Sequence, residues 1–331
     1  MKRTLTRNLD RLDDWLAAAS LRRAREHPAL LAFFFHGLFE NTAEIAADVV
    51  WPSQPLLVAE LRKFIEYFLE HGYRFVSPAQ ILSGLDPGGF HVLLTFDDGY
   101  ANNQRALPIL RALSVPATFF VSARHVTEGK AFWWNAVYRE RRRRGATLAT
   151  IRREIESLKR QAPGVIEEYV HKSFGDSALQ PLGDTDRPFT AEELRAFGAD
   201  PLVTLGNHTM DHIDLTRHSE QRRRDEVRGC QEYLANPTGA LPPIIAYPYG
   251  HYDGAAIASA RAEGLQLAVT GAGYKNRLPL QGVAAMTIAR TFIPCGREML
   301  PACQRSRSDV RLRPWLSALR KRRRGVTIAG G

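Results

Sequence analysis

Two adjacent carboxylates, Asp97 and Asp98, end the apolar run Val92-Leu93-Leu94-Thr95-Phe96 and are followed at once by Gly99. Side chains alternate in direction along a strand, so one of the two can bind a metal while the other handles a proton. A plain Asp-Asp-Gly turn is the bland alternative. Further on, the short apolar run Leu202 to Gly206 and Asn207 leads directly into His208-Thr209-Met210-Asp211-His212. Histidines at i and i+4 are expected to project from one face of a helical turn and present two imidazoles to one metal. Two neutral imidazoles and one carboxylate make an open three-donor site that suits zinc, with iron, cobalt or manganese also compatible.

The elements that must carry these residues alternate. Strand-like runs cover Leu30 to Phe35, Tyr73 to Val76, His91 to Phe96, Pro116 to Val121, Leu202 to Leu205, Pro243 to Tyr247, Leu265 to Thr270 and Met286 to Ala289. Helical segments separate most of them. Pro55 to His71 has apolar residues at helical spacing, Ser77-Pro78 opens another helix, and Gln221 to Leu234 and Asp253 to Glu263 complete the set. Continuous apolar strands alternating with helices predict an α/β fold with parallel strands, whose chemistry sits at the carboxyl ends. From Thr127 to Pro188 the rhythm breaks into charged helical sequence without strand signals, before Thr190-Ala191-Glu192-Glu193 restarts it as a capping box.

These motifs resemble the polysaccharide deacetylase family, the NodB-homology domain or carbohydrate esterase family four. Thr95 to Gly99 match its Thr-Phe-Asp-Asp-Gly motif, and His208 to His212 its His-(Ser/Thr)-x-x-His motif. Ala106 to Leu110 and Val115 to Val121 look like the helix and strand after the first motif. Ala246-Tyr247-Pro248-Tyr249-Gly250 is similar to the Tyr-Pro-Tyr-Gly form of the third. The resemblance covers residues 29 to 295. It implies a distorted (β/α) barrel of seven or eight strands with residues 127–188 as a helical insertion at the catalytic end. A basic extension (1–28) would precede a deacetylase domain (29–300), and a basic tail (301–331) would follow it.

The resemblance further implies a divalent metal, zinc before cobalt or manganese, held by Asp98, His208 and His212, with Asp97 as general base. The Tyr249 backbone N–H would face the oxyanion, since Pro248 has none to donate. Thr209 would orient a ligand, touch substrate or cap its turn. Trp133 and Trp134 would stack on a sugar, or pack the insertion onto its host. The chain departs from the family in two places. Ala246 stands where an arginine usually holds the base aspartate, and Arg290, expected at the end of the last strand, is the candidate replacement. No Leu-x-His motif supplies an acid, so His36, on the rim beside the Asp97 strand, is the first candidate, ahead of His251 and His218.

At 331 residues the chain can bury one large core, and 44% hydrophobic with 24% charged residues is a globular composition. No apolar run reaches the roughly 18 residues of a membrane span. The N-terminus has acids where a signal peptide needs an apolar centre, and three cysteines form no framework, which together predict a cytoplasmic protein. The net charge of +10 lies in arginine runs at 139–144, 222–224 and 305–324, either solvated faces or an attraction to an acidic partner. The tail segment Val310 to Lys321 mixes basic and apolar residues and could lie on an anionic membrane as a short amphipathic helix. The expected substrate is an N-acetylated sugar or glycan, free or lipid-linked, and no nucleic acid. O-acetyl ester or non-sugar amide hydrolysis would use the same site, and a weakly catalytic protein binding an acidic polymer or membrane is the non-enzyme alternative.

Overall fold

The structure is a computed structural model and describes residues 2–23 and 26–310. Seven strands form its centre: β1 (Ala29–Phe35), β2 (Phe90–Phe96), β3 (Ala117–Val121), β4 (Val203–Asn207), β5 (Ile244–Ala246), β6 (Leu267–Thr270) and β7 (Ile288–Phe292). All pair in parallel in the order β1-β7-β6-β5-β4-β3-β2, and β1 pairs back onto β2, from Ala29 opposite Phe90 to Phe35 opposite Phe96. The sheet is therefore a closed barrel. An extra strand, Arg74–Phe75, pairs with the start of β2 outside the closure. The expected (β/α) barrel is what the chain forms.

Alternation along the strands divides the core. Leu30, Ala32, Leu93, Phe120, Ile244, Val269 and Ile288 fill the lumen, while Leu31, Phe33, Phe35, Leu94, Phe96, Phe119 and Val121 face the outer helices. The helix Val58–Glu70 buries Leu61, Phe64, Ile65 and Phe68 there, with Phe64 edge-on to Phe33 and Phe35 at 5.1 Å. It begins three residues later than the sequence pattern suggests, because Leu56–Leu57 pair with Leu38–Phe39 as a small second sheet. In the lumen Gly206 is obligatory, since a Cβ there would meet the Phe120 ring at 2.5 Å.

Three helices, Trp133–Arg143, Leu148–Leu158 and Pro163–Phe174, lie between β3 and β4 and have their own apolar core around Phe132, Trp134, Ile151, Ile155 and Val170. Thr190 caps the helix Ala191–Gly198 with its hydroxyl on the Glu193 N–H, as its capping box predicts. The N-terminal helix Lys2–Arg23 packs against Met299–Arg307, where Arg305 pairs with Asp14. Of the predicted tail helix only Val310 is described, and 311–321 lie outside the described residues. No helix among the described residues is long and apolar enough to cross a membrane.

Candidate active site

Leu93 and Thr95 point into the lumen, and two residues on, just past the end of β2, Asp97 keeps that direction. Its backbone N–H donates to Phe35 O at 2.8 Å, which ties it to β1. On the far side of β1, Arg290 lies inside β7 with Ala32 as its register partner. The predicted strand stopped at Ala289. The real one runs on to Phe292, so Arg290 follows the inward parity of Ile288 and is not a strand-end residue. It forms a bidentate pair with Asp97 (Nη1–Oδ1 2.6 Å, Nη2–Oδ2 2.8 Å), and Nη1 also donates to Thr95 Oγ1. The Phe34 and Phe120 rings lie 4.9 and 5.4 Å from its guanidinium carbon. Burial works to raise the Asp97 pKa, but Arg290 and the nearby His208 and His36 outweigh it and hold the carboxyl below its ordinary range.

Asp98 has the opposite parity and would point out of the barrel if the strand continued. A φ of 78° at Asp98 and 85° at Gly99 reverses the chain instead. A Cβ on residue 99 would stand 3.0 Å from Val121 Cγ1, so glycine is needed for space as well as for φ. Asp98 Oδ1 then lies 3.5 Å from His208 Nε2 and 3.4 Å from His212 Nε2. Burial opposes the charge on Asp98, but the two imidazoles hold its carboxyl well below its ordinary value.

The two histidines do not sit on a helical turn. The chain from His208 to Asp214 is an irregular loop in which Thr209 (φ 64°) and His212 (φ 53°) take the left-handed region. A helical i, i+4 pair would stack its rings along one side. This doubled-back loop brings both Nε2 atoms to the same carboxylate oxygen. The loop is pinned by Thr209 N–H to Asn207 Oδ1 (2.8 Å) and Met210 N–H to Glu226 O (3.1 Å). Among the described residues, four of the six non-glycine residues at positive φ, Asp98, Thr209, His212 and Tyr249, belong to this site. Each such residue costs about 1–3 kcal/mol, and strain of this kind gathers where surrounding structure imposes a functional geometry.

The donor set fits a divalent cation. Ligands about 2.0–2.2 Å from one ion in tetrahedral array sit roughly 3.3–3.6 Å apart, and the carboxylate–imidazole separations here are 3.5 and 3.4 Å. The three ligand atoms lie within 4.8 Å of one another and all three residues are buried. His208 Nδ1 faces Ala246 O at 2.8 Å and must carry the proton, which leaves the Nε2 lone pair on the Asp98 side. Burial lowers the His212 pKa and favours the neutral imidazole a ligand requires.

Above these residues is a cavity of about 310 Å³ lined by Asp97, Asp98, His208, His212, Tyr249, Arg290 and His36. His36 thus faces the same space as Asp97, with Nδ1 held 3.1 Å from Gln54 Oε1. Tyr249, at φ 59° in the turn after Pro248, sets its ring edge-on to His212 at 4.7 Å. Trp134 reaches the cavity and lies 4.9 Å from the His212 ring, whereas Trp133 lines a smaller neighbouring pocket. Both are largely buried in the insertion's core. Thr209 and Pro248 are buried and do not line the cavity, and the Thr209 hydroxyl accepts from Ile213 N–H at 3.3 Å. His251 lies away from the cavity, paired with Asp214 at 2.8 Å, and so does His218, whose backbone carbonyl accepts from Arg223. Trp51, Gln54, Ile155 and Lys159 also line the cavity and carry no signal in the sequence pattern. Tyr100 also lines it, and its place beside Gly99 was the one signal available.

The sequence pattern of the family described as polysaccharide deacetylase matches residues 85–268, more than half of the chain. The chain belongs to the polysaccharide deacetylase family. One family relative is the Bacillus subtilis (strain 168) protein YxkH, 21% identical over 216 residues, which are 64% of this chain and 57% of that protein. The deacetylase barrel also superposes on the Streptococcus pyogenes deacetylase PplD in complex with acetate (TM-score 0.58, 17% identity, 84% of this chain and 98% of that one). A de-N-acetylase from Aggregatibacter actinomycetemcomitans gives 0.54 at 16% identity, covering 82% and 98%. At these identities the likeness is one of fold.

Proposed function

We propose that this family member is a metal-dependent hydrolase that removes acetyl from an N-acetylated amino sugar or glycan. The observation that carries the reading is the contrast between the adjacent aspartates: Asp97 is clamped by Arg290, while Asp98 meets His208 and His212. In this reading residues 29–300 are the catalytic domain and 127–188 its insertion. A divalent cation, zinc by the chemistry of the donors, would be held by Asp98, His208 and His212, and would polarise the acetyl carbonyl and acidify an attacking water. Asp97, kept ionised by Arg290, accepts the proton of that water. The Tyr249 N–H stabilises the oxyanion, and the His36 imidazole protonates the departing nitrogen. The Trp134 face offers a wall for the sugar.

A protein that merely binds an acidic polymer is disfavoured by where the arginines go. Arg139 pairs with Asp186, Arg141 with Glu154, Arg142 with Asp48, Arg143 with Glu140 and Arg222 with Asp211 and Glu226. The deciding experiment loads the protein with zinc, cobalt or manganese and follows acetate release from free, nucleotide-linked and lipid-linked N-acetyl sugars and from O-acetyl sugars. Metal-dependent release from N-acetyl substrates supports the reading, release from O-acetyl substrates alone replaces it with an esterase, and no release from any of them ends it.

A further inference from the structure

The hydroxyl of Tyr100 in the cavity wall has its hydrogen bonding fixed by its neighbours. Tyr100 is buried, lines the cavity, and its phenol oxygen lies 3.0 Å from Trp134 Nε1 and 3.0 Å from Asn135 Nδ2. An indole N–H can only donate. The Asn135 amide is oriented from its other end, because Oδ1 lies 3.0 Å from the Trp51 backbone nitrogen, which also can only donate. The end facing Tyr100 is therefore the NH₂ group, a second donor. Both acceptor positions of the phenol oxygen are filled, so its own proton must be directed elsewhere. Among the described residues it meets no acceptor, and neither carboxylate of the site is in hydrogen-bonding reach.

We propose that Tyr100 is a substrate-binding donor, its O–H directed into the cavity and given to an oxygen of the acylated sugar. The inference rests on the deacetylase reading above and assigns that site one more contact. It also gives the insertion a function, since Trp134 and Asn135 lie on the insertion helix Trp133–Arg143 and Trp51 on the segment after β1. These added elements decide which way a barrel residue donates.

The test is to turn the hydrogen bond around without removing the phenol. Asn135→Asp is nearly isosteric, keeps an acceptor for the Trp51 N–H, and puts a carboxylate oxygen where the NH₂ was. That oxygen accepts the Tyr100 proton and draws it out of the cavity. Tyr100→Phe deletes the donor. Each variant should lower kcat/KM roughly five- to tenfold, the effect of one neutral hydrogen bond, mainly through KM. The double variant should be no worse than Tyr100→Phe alone. Metal content and thermal midpoint are measured in parallel, because Tyr100→Phe leaves two buried donors unmet. If that variant does not fold, Asn135→Asp decides alone. Wild-type kcat/KM in Asn135→Asp, a loss confined to kcat, or losses that multiply in the double variant would overturn the proposal while wild-type turnover still stands for the deacetylase reading. A wild-type protein without turnover on any acylated sugar removes both.

Discussion

Asp97 and Asp98 differ by one position in sequence and by their hydrogen-bonding partners in space. Asp97 meets a guanidinium and Asp98 two imidazoles. Replacing Asp97 by Asn should spare metal content and lower kcat by about 10²-fold or more, since proton transfer is lost and no ligand is. Replacing Asp98 by Asn should lower both metal content and kcat, as metal analysis beside turnover would show. Loss of metal in Asp97→Asn, or full activity, would reverse the assignment. His36 makes a separate prediction. An acid that protonates a leaving nitrogen matters little for a leaving group that departs unaided. His36→Ala should therefore slow amide hydrolysis at least tenfold more than hydrolysis of an activated ester, an effect of the size expected for general acid catalysis, roughly 10²–10⁴-fold in full. Equal losses on the two substrates would make His36 structural.

At the scale of elements, the insertion and the stretch that returns from it shape the cavity. Ile155 and Lys159 come from the second insertion helix and its end, and Trp134 from the first. The return is secured at Arg187, whose carbonyl accepts from Ala101 N–H beside Tyr100 and whose guanidinium pairs with Glu193. The Arg187 hydrogen bonds, against a smaller cost of burial, lower the Glu193 pKa from 4.5 to about 2. A depressed folded-state value means that this stability is fully present above about pH 4.5 and is lost as pH falls towards 2. Acid unfolding of Glu193→Gln should accordingly differ from wild type above pH 4.5 and converge with it near pH 2. Thr190→Ala, which removes the hydroxyl of the same capping box, should cost about 1 kcal/mol at neutral pH in denaturant melts. A pH-independent difference for Glu193→Gln would show that the Arg187 pair does not matter to folding.

Across the whole molecule, the proposed metal donors come from the ends of β2 and β4, which their shared neighbour β3 brings together. An ion bound only by the folded chain stabilises it by mass action, about 2.7 kcal/mol at a hundred times the dissociation constant. For a chain of this size that is a rise in thermal midpoint of roughly 4–5 °C. Chelation should reverse the rise, and in Asp98→Asn added metal should shift the midpoint little. An equal shift in wild type and Asp98→Asn would place the ion elsewhere.

Short-range pattern carried much of this in the sequence. Apolar runs ending in Asp97-Asp98 and in Asn207-His208 announced two parallel strands with donors at their carboxyl ends, and alternation with helices announced the barrel. Strand neighbourhood even placed His36 beside Asp97. Those features depend on residues a few positions apart, where strand parity and helix spacing act directly. The conformation of the His208–His212 loop was not legible, because i, i+4 spacing suits a helix as well as a turn with two left-handed residues, and tertiary partners such as Asn207, Glu226 and the 121–124 backbone choose between them. Arg290 could be nominated by its charge, but its bidentate grip on Asp97, 193 residues away in the chain, needed the register of β7 against β1. Tyr100 shows the limit most clearly. Its chemical type was readable next to Gly99, but the direction of its proton is set by Trp134, Asn135 and Trp51, and hydrogen bonds between distant segments leave no periodic trace in a sequence.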